Sequence, residues 1–166
     1  MEKAGWLVES WTERGEREEL KRDFAGWHEN VQMLIDHMEP DGCYKWALFD
    51  REPMKQWSRG KVTLLGDACH PTLPFLAQGA AMAIEDAAVL AECVSNGPDD
   101  IGAALKRYEH LRSSRTARIQ KGSRRNAKIF HMGGVQAWVR NRTLLMDPAK
   151  RIMQGIYDFD VYDMKN

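Results

Sequence analysis

Between Glu16 and Met38, apolar residues recur at Leu20, Phe24, Trp27, Val31, Leu34, Ile35 and Met38, with acidic and basic residues between them. Steps of three and four place these side chains on one face of a helix. Pro40-Asp41-Gly42 supplies the turn that ends it. Ahead of it, Gly5 to Trp11 reads as a short strand and Thr12 to Gly15 as a turn. Two further strands are expected, Tyr44 to Phe49 and Lys61 to Leu65; the second is β-branched and runs straight into Gly66. Beyond Pro71 and Pro74 the pattern turns helical. An alanine-rich helix from Gly79 to Val94 is stopped by Ser95-Asn96-Gly97-Pro98. A long helix follows from Asp99 towards Phe130, with Ile101, Leu105, Tyr108, Leu111 and Ile119 on one face. Gly133-Gly134 breaks it, and Val135 to Leu145 forms one more helix before Asp147-Pro148. The tail from Lys150 to Asn166 is amphipathic through Ile152, Ile156, Tyr157 and Phe159. The expected fold class is α/β, or an α+β piece, whose two or three strands leave sheet edges that want a partner.

Composition narrows this only slightly. The 166 residues suffice for one domain with a core. Twenty-four basic residues balance 24 acidic ones, so no electrostatic footprint calls for nucleic acid or a membrane surface. No apolar run approaches a membrane span. Cys43, Cys69 and Cys93 make neither a CxxC pair nor an even disulfide framework, which makes a reducing cytoplasm the expected compartment.

The chemistry concentrates in VTLLGDACHPTLPFLAQGAAMAIEDAAVLAECV, Val62 to Val94. A buried strand delivers Gly66 and Asp67 at its C-terminal end, where α/β proteins bind ligands. A carboxylate there can accept hydrogen bonds from sugar or polyol hydroxyls. A dozen residues on, Gln78-Gly79-Ala80-Ala81 opens a helix whose free amides and positive dipole end suit an electron-rich group. Gly79 permits close backbone approach, and Ala80, Ala81 and Ala83 keep the first turn slim. Pro71, Leu73, Pro74, Phe75 and Leu76 make a stiff apolar loop between the two. Carboxylate, apolar wall and helix N-terminus together fit a long cofactor with hydroxyls and a flat ring.

Nine residues of this run, Gly66, Asp67, Ala68, His70, Pro74, Gly79, Glu85, Asp86 and Ala87, stand in the register G-D-A-x-H-x-x-x-P-x-x-x-x-G-x-x-x-x-x-E-D-A. That register resembles the second FAD fingerprint of the class A flavoprotein aromatic-ring monooxygenases, the p-hydroxybenzoate hydroxylase superfamily. Leu-Pro-Phe-Leu-Ala-Gln-Gly-Ala is most similar to the salicylate hydroxylase-like branch, as are Asp50-Arg51-Glu52-Pro53, Trp57, Tyr108-Glu109 and the Tyr157-Asp158-Phe159-Asp160 tail. The resemblance implies the C-terminal part of a Rossmann-like FAD-binding domain, joined to the end of a substrate-domain sheet and followed by long helices. Residues 1–57 would end the substrate-binding domain, 58–98 carry the FAD fingerprint and 99–166 form a helical region. It further implies FAD as cofactor, bound through Gly66, Asp67, Pro74, Gly79, Ala80 and Ala81. Pro74 would also stand beside the reacting flavin carbon and the substrate ring. NAD(P)H would be the co-substrate, and a phenolic acid such as salicylate would be hydroxylated through a flavin hydroperoxide.

Cys69 stands where that family often has alanine, and Ala81-Met82 replaces a frequent polar residue. No two glycines are spaced i, i+2, so the G-x-G-x-x-G loop for the ADP part of FAD is missing from these residues. The expectation is therefore a fragment that needs an N-terminal FAD-binding half and alone binds FAD weakly or not at all. An inactive fragment serving as a helical interaction module is one alternative, and a flavin epoxidase, halogenase or reductase is another. His70 reads as structural rather than as a metal ligand, since no third ligand is in sight. Glu85-Asp86 would orient the helix. His28, His37, His110 and His131 read as surface residues, and Trp27, Trp46 and Trp57 as core or interdomain packing. The arginines from Arg112 to Arg125 read as a solvated or interdomain face.

Overall fold

A computed structural model describes residues 8, 10–96, 100–144 and 155–161. Most of the expected strand from Gly5 to Trp11 lies outside these residues. So do Gly97-Pro98, Asp147-Pro148 and most of the C-terminal tail. The chain divides into two compact units, Met1–Leu48 and Phe49–Asn166.

In the first unit the single helix expected over Glu16 to Met38 is two, α1 (Arg17–Asp23) and α2 (Glu29–Asp36). Gly26 adopts φ +80°, a left-handed conformation that no helix continues. Phe24 meets Trp27 edge-on across the break, and His28 starts α2 by accepting from the Asn30 amide at 3.2 Å. Lys21 pairs with Asp36 across the break at 2.6 Å, so the second helix turns back against the first. Of the expected apolar face only Ile35 is buried; Trp27 and Leu34 are 60% and 69% exposed. The strand expected at Tyr44 to Phe49 does not form. One antiparallel bridge, Arg14 to Tyr44, stands in its place, carried by Gly15 N–H to the Cys43 carbonyl and Lys45 N–H to the Glu13 carbonyl.

The second unit is built on two helices, α3 (Gly79–Ser95) and α4 (Ile101–Phe130), which pack along each other. At 30 residues α4 is about 45 Å long. Asp100 caps it, accepting from the Gly102 amide at 2.8 Å. The strand expected over Lys61 to Leu65 is shorter: β2 (Val62–Thr63) pairs antiparallel with β1 (Ser58–Arg59) in a two-stranded hairpin. Gly60, at φ +60°, makes the tight turn. The hairpin is pinned to α4 by Ser58 N–H to Glu109 Oε2 at 2.8 Å, Ser58 Oγ to the Leu105 carbonyl at 3.2 Å and Tyr108 Oη to the Leu64 carbonyl at 3.3 Å. Beneath it Trp57, Cys69, Val89, Cys93 and Tyr108 form the main apolar cluster. Trp57 is thus a core residue, whereas Trp46 is 55% exposed. A second cluster joins Leu76, Met82 and Ile119. A further helix, α5 (Gly134–Leu144), follows α4. No described helix is long and apolar enough to cross a membrane.

Candidate functional site

Past β2 the chain makes two short 3-10 turns, Gly66–Ala68 and Pro74–Leu76, before entering α3. Gly66 is buried at φ +61°, and a Cβ there would lie 3.3 Å from Ala83 Cβ. The left-handed backbone favours glycine, and the close contact leaves little room for a side chain. Because Ala83 is four residues into α3 from Gly79, that contact sets the Gly66 turn about one helical turn, roughly 5.4 Å, from the helix start. Asp67 follows immediately, exposed, with no hydrogen bond or ion pair among the described residues.

The loop between the turns is held from behind by one face of α4. Gln120 Nε2 donates to the Pro71 carbonyl at 2.9 Å and the Arg51 carbonyl at 3.2 Å, Ser123 Oγ to the Leu73 carbonyl, and Asn126 Nδ2 to the Phe75 carbonyl at 3.1 Å. Gly122 lets Leu76 approach, since a Cβ there would lie 3.0 Å from Leu76 Cδ1. With its carbonyls turned to α4, the loop leaves Pro74 exposed. Ala77 then takes φ 52°, the left-handed region that costs an L-residue about 1–2 kcal/mol.

At the start of α3 the Met82 amide closes the first turn on the Gln78 carbonyl at 2.9 Å. The amides of Gly79, Ala80 and Ala81 precede that turn and have no intrahelical acceptor. No side chain caps them and no acidic residue sits in the first turn. Ala80 is exposed, while Gly79 and Ala81 are half-buried. Gly79 needs no left-handed backbone, and a Cβ there would meet nothing closer than Thr72 Cγ2 at 3.6 Å. Packing within the chain therefore does not demand glycine at 79. A surface left slim beside unsatisfied donors fits a ligand that approaches the backbone closely.

The inward-facing residues of the same run form a charge network. Asp86 is fully buried and accepts from the Gly66 amide at 3.1 Å, His70 Nε2 at 2.5 Å and Arg112 Nε at 2.7 Å. Glu85 accepts from Arg112 Nη2 at 2.6 Å and, fork to fork, from Arg115 Nε at 2.8 Å and Nη2 at 2.7 Å. Burial alone would raise both carboxyls; the hydrogen bonds and charges outweigh it and hold both below the usual carboxylate range. For Asp86 these come from His70 and Arg112, for Glu85 from Arg115 and Arg112.

Arg112 and Arg115 thus correct the expectation of a solvated or interdomain arginine face: they are 0% and 8% exposed and neutralise carboxylates within their own unit. Arg124 pairs with Asp50 and Glu52, and Arg118 and Arg125 are exposed. Two carboxylates adjacent on one helix, and two guanidiniums three apart on a later one, were the available signal. Their partnership spans 26 to 30 residues and no local pattern announces it.

His70 is 1% exposed and spends its Nε2 on Asp86. With Cys69 and Asp86 it forms a group whose ligand atoms lie within 4.8 Å of one another. Two of the three side chains are already engaged, however: Cys69 Sγ donates to the Gly66 carbonyl at 3.3 Å, and Asp86 is neutralised by Arg112. Burial, reinforced by the Asp86 charge, pushes the Cys69 thiol up to about 12, so the thiolate that metals prefer is disfavoured. His28, His37, His110 and His131 are all exposed.

Two-sidedness, with polar groups unspent on the outside and a neutralised network within, is what a cofactor-facing segment requires. Residues 4–123 match the protein family described as FAD binding domain. The chain belongs to that family. Its relatives include proteins named as monooxygenases and hydroxylases of ring acids. The chain is 43% identical over 148 residues to 3-amino-4-hydroxybenzoate 2-monooxygenase of Streptomyces platensis, covering 89% of this chain and 36% of that protein. It is 45% identical over 127 residues to 3-hydroxybenzoate 6-hydroxylase of Polaromonas naphthalenivorans, covering 76% of this chain and 31% of that one. Among solved structures, a single-substitution variant of Klebsiella pneumoniae HpxO complexed with FAD superposes at TM-score 0.77 with 34% identity, over 94% of this chain and 40% of that one. A salicylate hydroxylase substrate complex superposes at 0.75 with 28% identity, over 96% and 39%. The chain spans about a third of the length of the curated relatives it matches.

Proposed function

We propose that this chain supplies the flavin-facing part of a FAD- and NAD(P)H-dependent monooxygenase that hydroxylates a hydroxylated aromatic or heteroaromatic acid. One observation carries the reading: within a single fingerprint, Asp67, Pro74 and Ala80 are exposed while His70 and Asp86 are buried, paired with each other and closed over by Arg112. The exposed set has the donors and acceptors that FAD needs. The Asp67 carboxylate accepts hydrogen bonds from ribityl hydroxyls. The amides of Gly79, Ala80 and Ala81, at the positive end of α3, favour negative charge on a reduced flavin ring. When bound, FAD supplies electron transfer from NAD(P)H and activation of oxygen. Pro74, backed by Phe75 and Leu76, forms an apolar wall that excludes water beside the ring. The substrate class follows the relatives, whose names specify an aminohydroxybenzoate, a hydroxybenzoate and a hydroxynicotinate; salicylate is the first member of that class to test.

Flavin fluorescence decides it. FAD is titrated into the chain alone and into the chain combined with a separately made N-terminal portion of a relative. The combined protein should bind FAD and oxidise NADH faster when a ring acid is added; the chain alone should bind weakly. Losing a hydrogen bond to a charged group costs roughly 1.5–3 kcal/mol, so Asp67→Ala should weaken FAD about 10- to 150-fold with unchanged circular dichroism. Equal affinity in wild type, Asp67→Ala and Gly79→Ala would refute the assignment.

A further inference from the structure

The described tail residues 155–161 lie against the α3–α4 pair with three inward side chains. Ile156, Phe159 and Val161 are half-buried, whereas Gly155, Tyr157, Asp158 and Asp160 are exposed. Ile156 packs on the cluster of Leu76, Met82 and Ile119. Val161 packs on the other cluster, against Trp57, Cys69, Val89, Cys93 and Tyr108. Between them the Phe159 ring covers the ion network, with Arg115 Cζ 3.7 Å and Arg112 Cζ 5.5 Å from its centroid. Arg115 Nη2 also donates to the Ile156 carbonyl at 3.2 Å.

We propose that this segment is a strap that positions the flavin-facing loop and helix start, with Ile156 and Phe159 as its positioning residues; the proposal rests on the flavin reading above. Leu76 ends the 3-10 turn that begins at Pro74, and the Met82 amide closes the first turn of α3 behind Gly79, Ala80 and Ala81. Ile156 packs against the cluster that contains both, so it braces the apolar wall and the free amides together. Phe159 acts through charge. Glu85 engages the Arg115 guanidinium edge-on, leaving its flat face to be covered, and an aromatic face attracts a cation there. Covering it excludes water, which strengthens the Glu85–Arg115 and Arg112–Asp86 pairs. Asp86 in turn holds the Gly66 amide ahead of Asp67. The tail thus reaches both flanks of the candidate site without touching the ligand: Pro74 with Gly79–Ala81 through Ile156, and Asp67 through Phe159.

Segment-resolved amide exchange on the full chain tests this, with Ile156→Ala, Phe159→Ala, Phe159→Leu and Phe159→Tyr. Phe159→Leu keeps apolar bulk and fold but removes the aromatic face; Phe159→Tyr keeps the face. Exchange should quicken at least about tenfold across residues 76–83 in Ile156→Ala and across residues 66–70 in Phe159→Ala and Phe159→Leu, and stay at the wild-type rate in Phe159→Tyr, with the Ser58–Thr63 hairpin and α5 unchanged in all of them. In the protein combined with an N-terminal portion, the same three should bind FAD at least about fivefold more weakly and shift its absorption bands towards those of free FAD. Phe159→Tyr should restore both. Exchange that rises uniformly, or not at all, overturns the strap. Local loosening with unchanged FAD affinity and spectrum overturns the positioning role. If the wild type takes up no FAD, the flavin reading itself fails, and the positioning role with it, whatever the exchange pattern.

Discussion

Replacing Asp86 by alanine would strip the Arg112 Nε of its acceptor and leave Glu85 as that guanidinium's remaining carboxylate partner, at a site where the Asp86 and Arg112 side chains are both 0% exposed. Breaking a buried ion pair from one side costs roughly 3–5 kcal/mol. The Gly66 amide and His70 Nε2 lose their acceptor in the same step. Against a domain stability of roughly 5–15 kcal/mol, a loss of about 4 kcal/mol is a large fraction of the total. Asp86→Asn should cost less, about 2 kcal/mol. Its carbonyl can still accept from Arg112, and its amide can donate to His70 in the other tautomer, but the Gly66 N–H then faces a donor. Urea unfolding followed by far-UV circular dichroism would measure both, provided the slope is unchanged. The double variant Asp86→Ala/Arg112→Met removes the half-paired buried charge, leaves Glu85 with Arg115, and should recover at least about 1 kcal/mol relative to additivity. A loss below about 1 kcal/mol in Asp86→Ala, or strict additivity in the double variant, would show that the network is not the keystone of the α3–α4 contact.

Three further outcomes follow from the same geometry. Glu85 and Asp86 titrate below their ordinary values of 4.5 and 3.8. The unfolded chain therefore binds protons first, and their contribution is complete above about pH 5 and lost as pH falls through the lowered values; Asp86→Asn should flatten the acid limb of a stability–pH curve. Gly66→Ala should cost at least about 1–2 kcal/mol for its left-handed backbone, whereas Gly79→Ala should stay within about 0.5 kcal/mol; equal losses in denaturant midpoint would erase the distinction between a packing glycine and a ligand-facing one. A thiol reagent at neutral pH should label half-buried Cys43 first and reach Cys69 and Cys93 only on unfolding, since burial raises both thiols; early labelling of Cys69, followed by mass spectrometry, would contradict its packing under Gly66.

What local chemistry encodes was legible from the residues alone. The register from Gly66 to Ala87 identified the family, and α3 and α4 began and ended within two residues of where periodicity and turn residues put them. Such features depend on neighbours within a turn or two, so the pattern contains them. Breaking the first helix at Gly26 lay beyond periodicity, because two short helices folded against each other carry the same apolar steps of three and four as one long helix. The strand expected at Tyr44 to Phe49 needs a pairing partner along its length, which one bridge does not supply. Deciding which side of the fingerprint faces out took the tertiary structure. Asp67 and Asp86 are both carboxylates in the same motif, yet one is exposed and unspent while the other is sealed under Arg112 and Gly66. Burial and pairing across dozens of residues decide a charge's role, and those are properties of packing rather than of the local sequence.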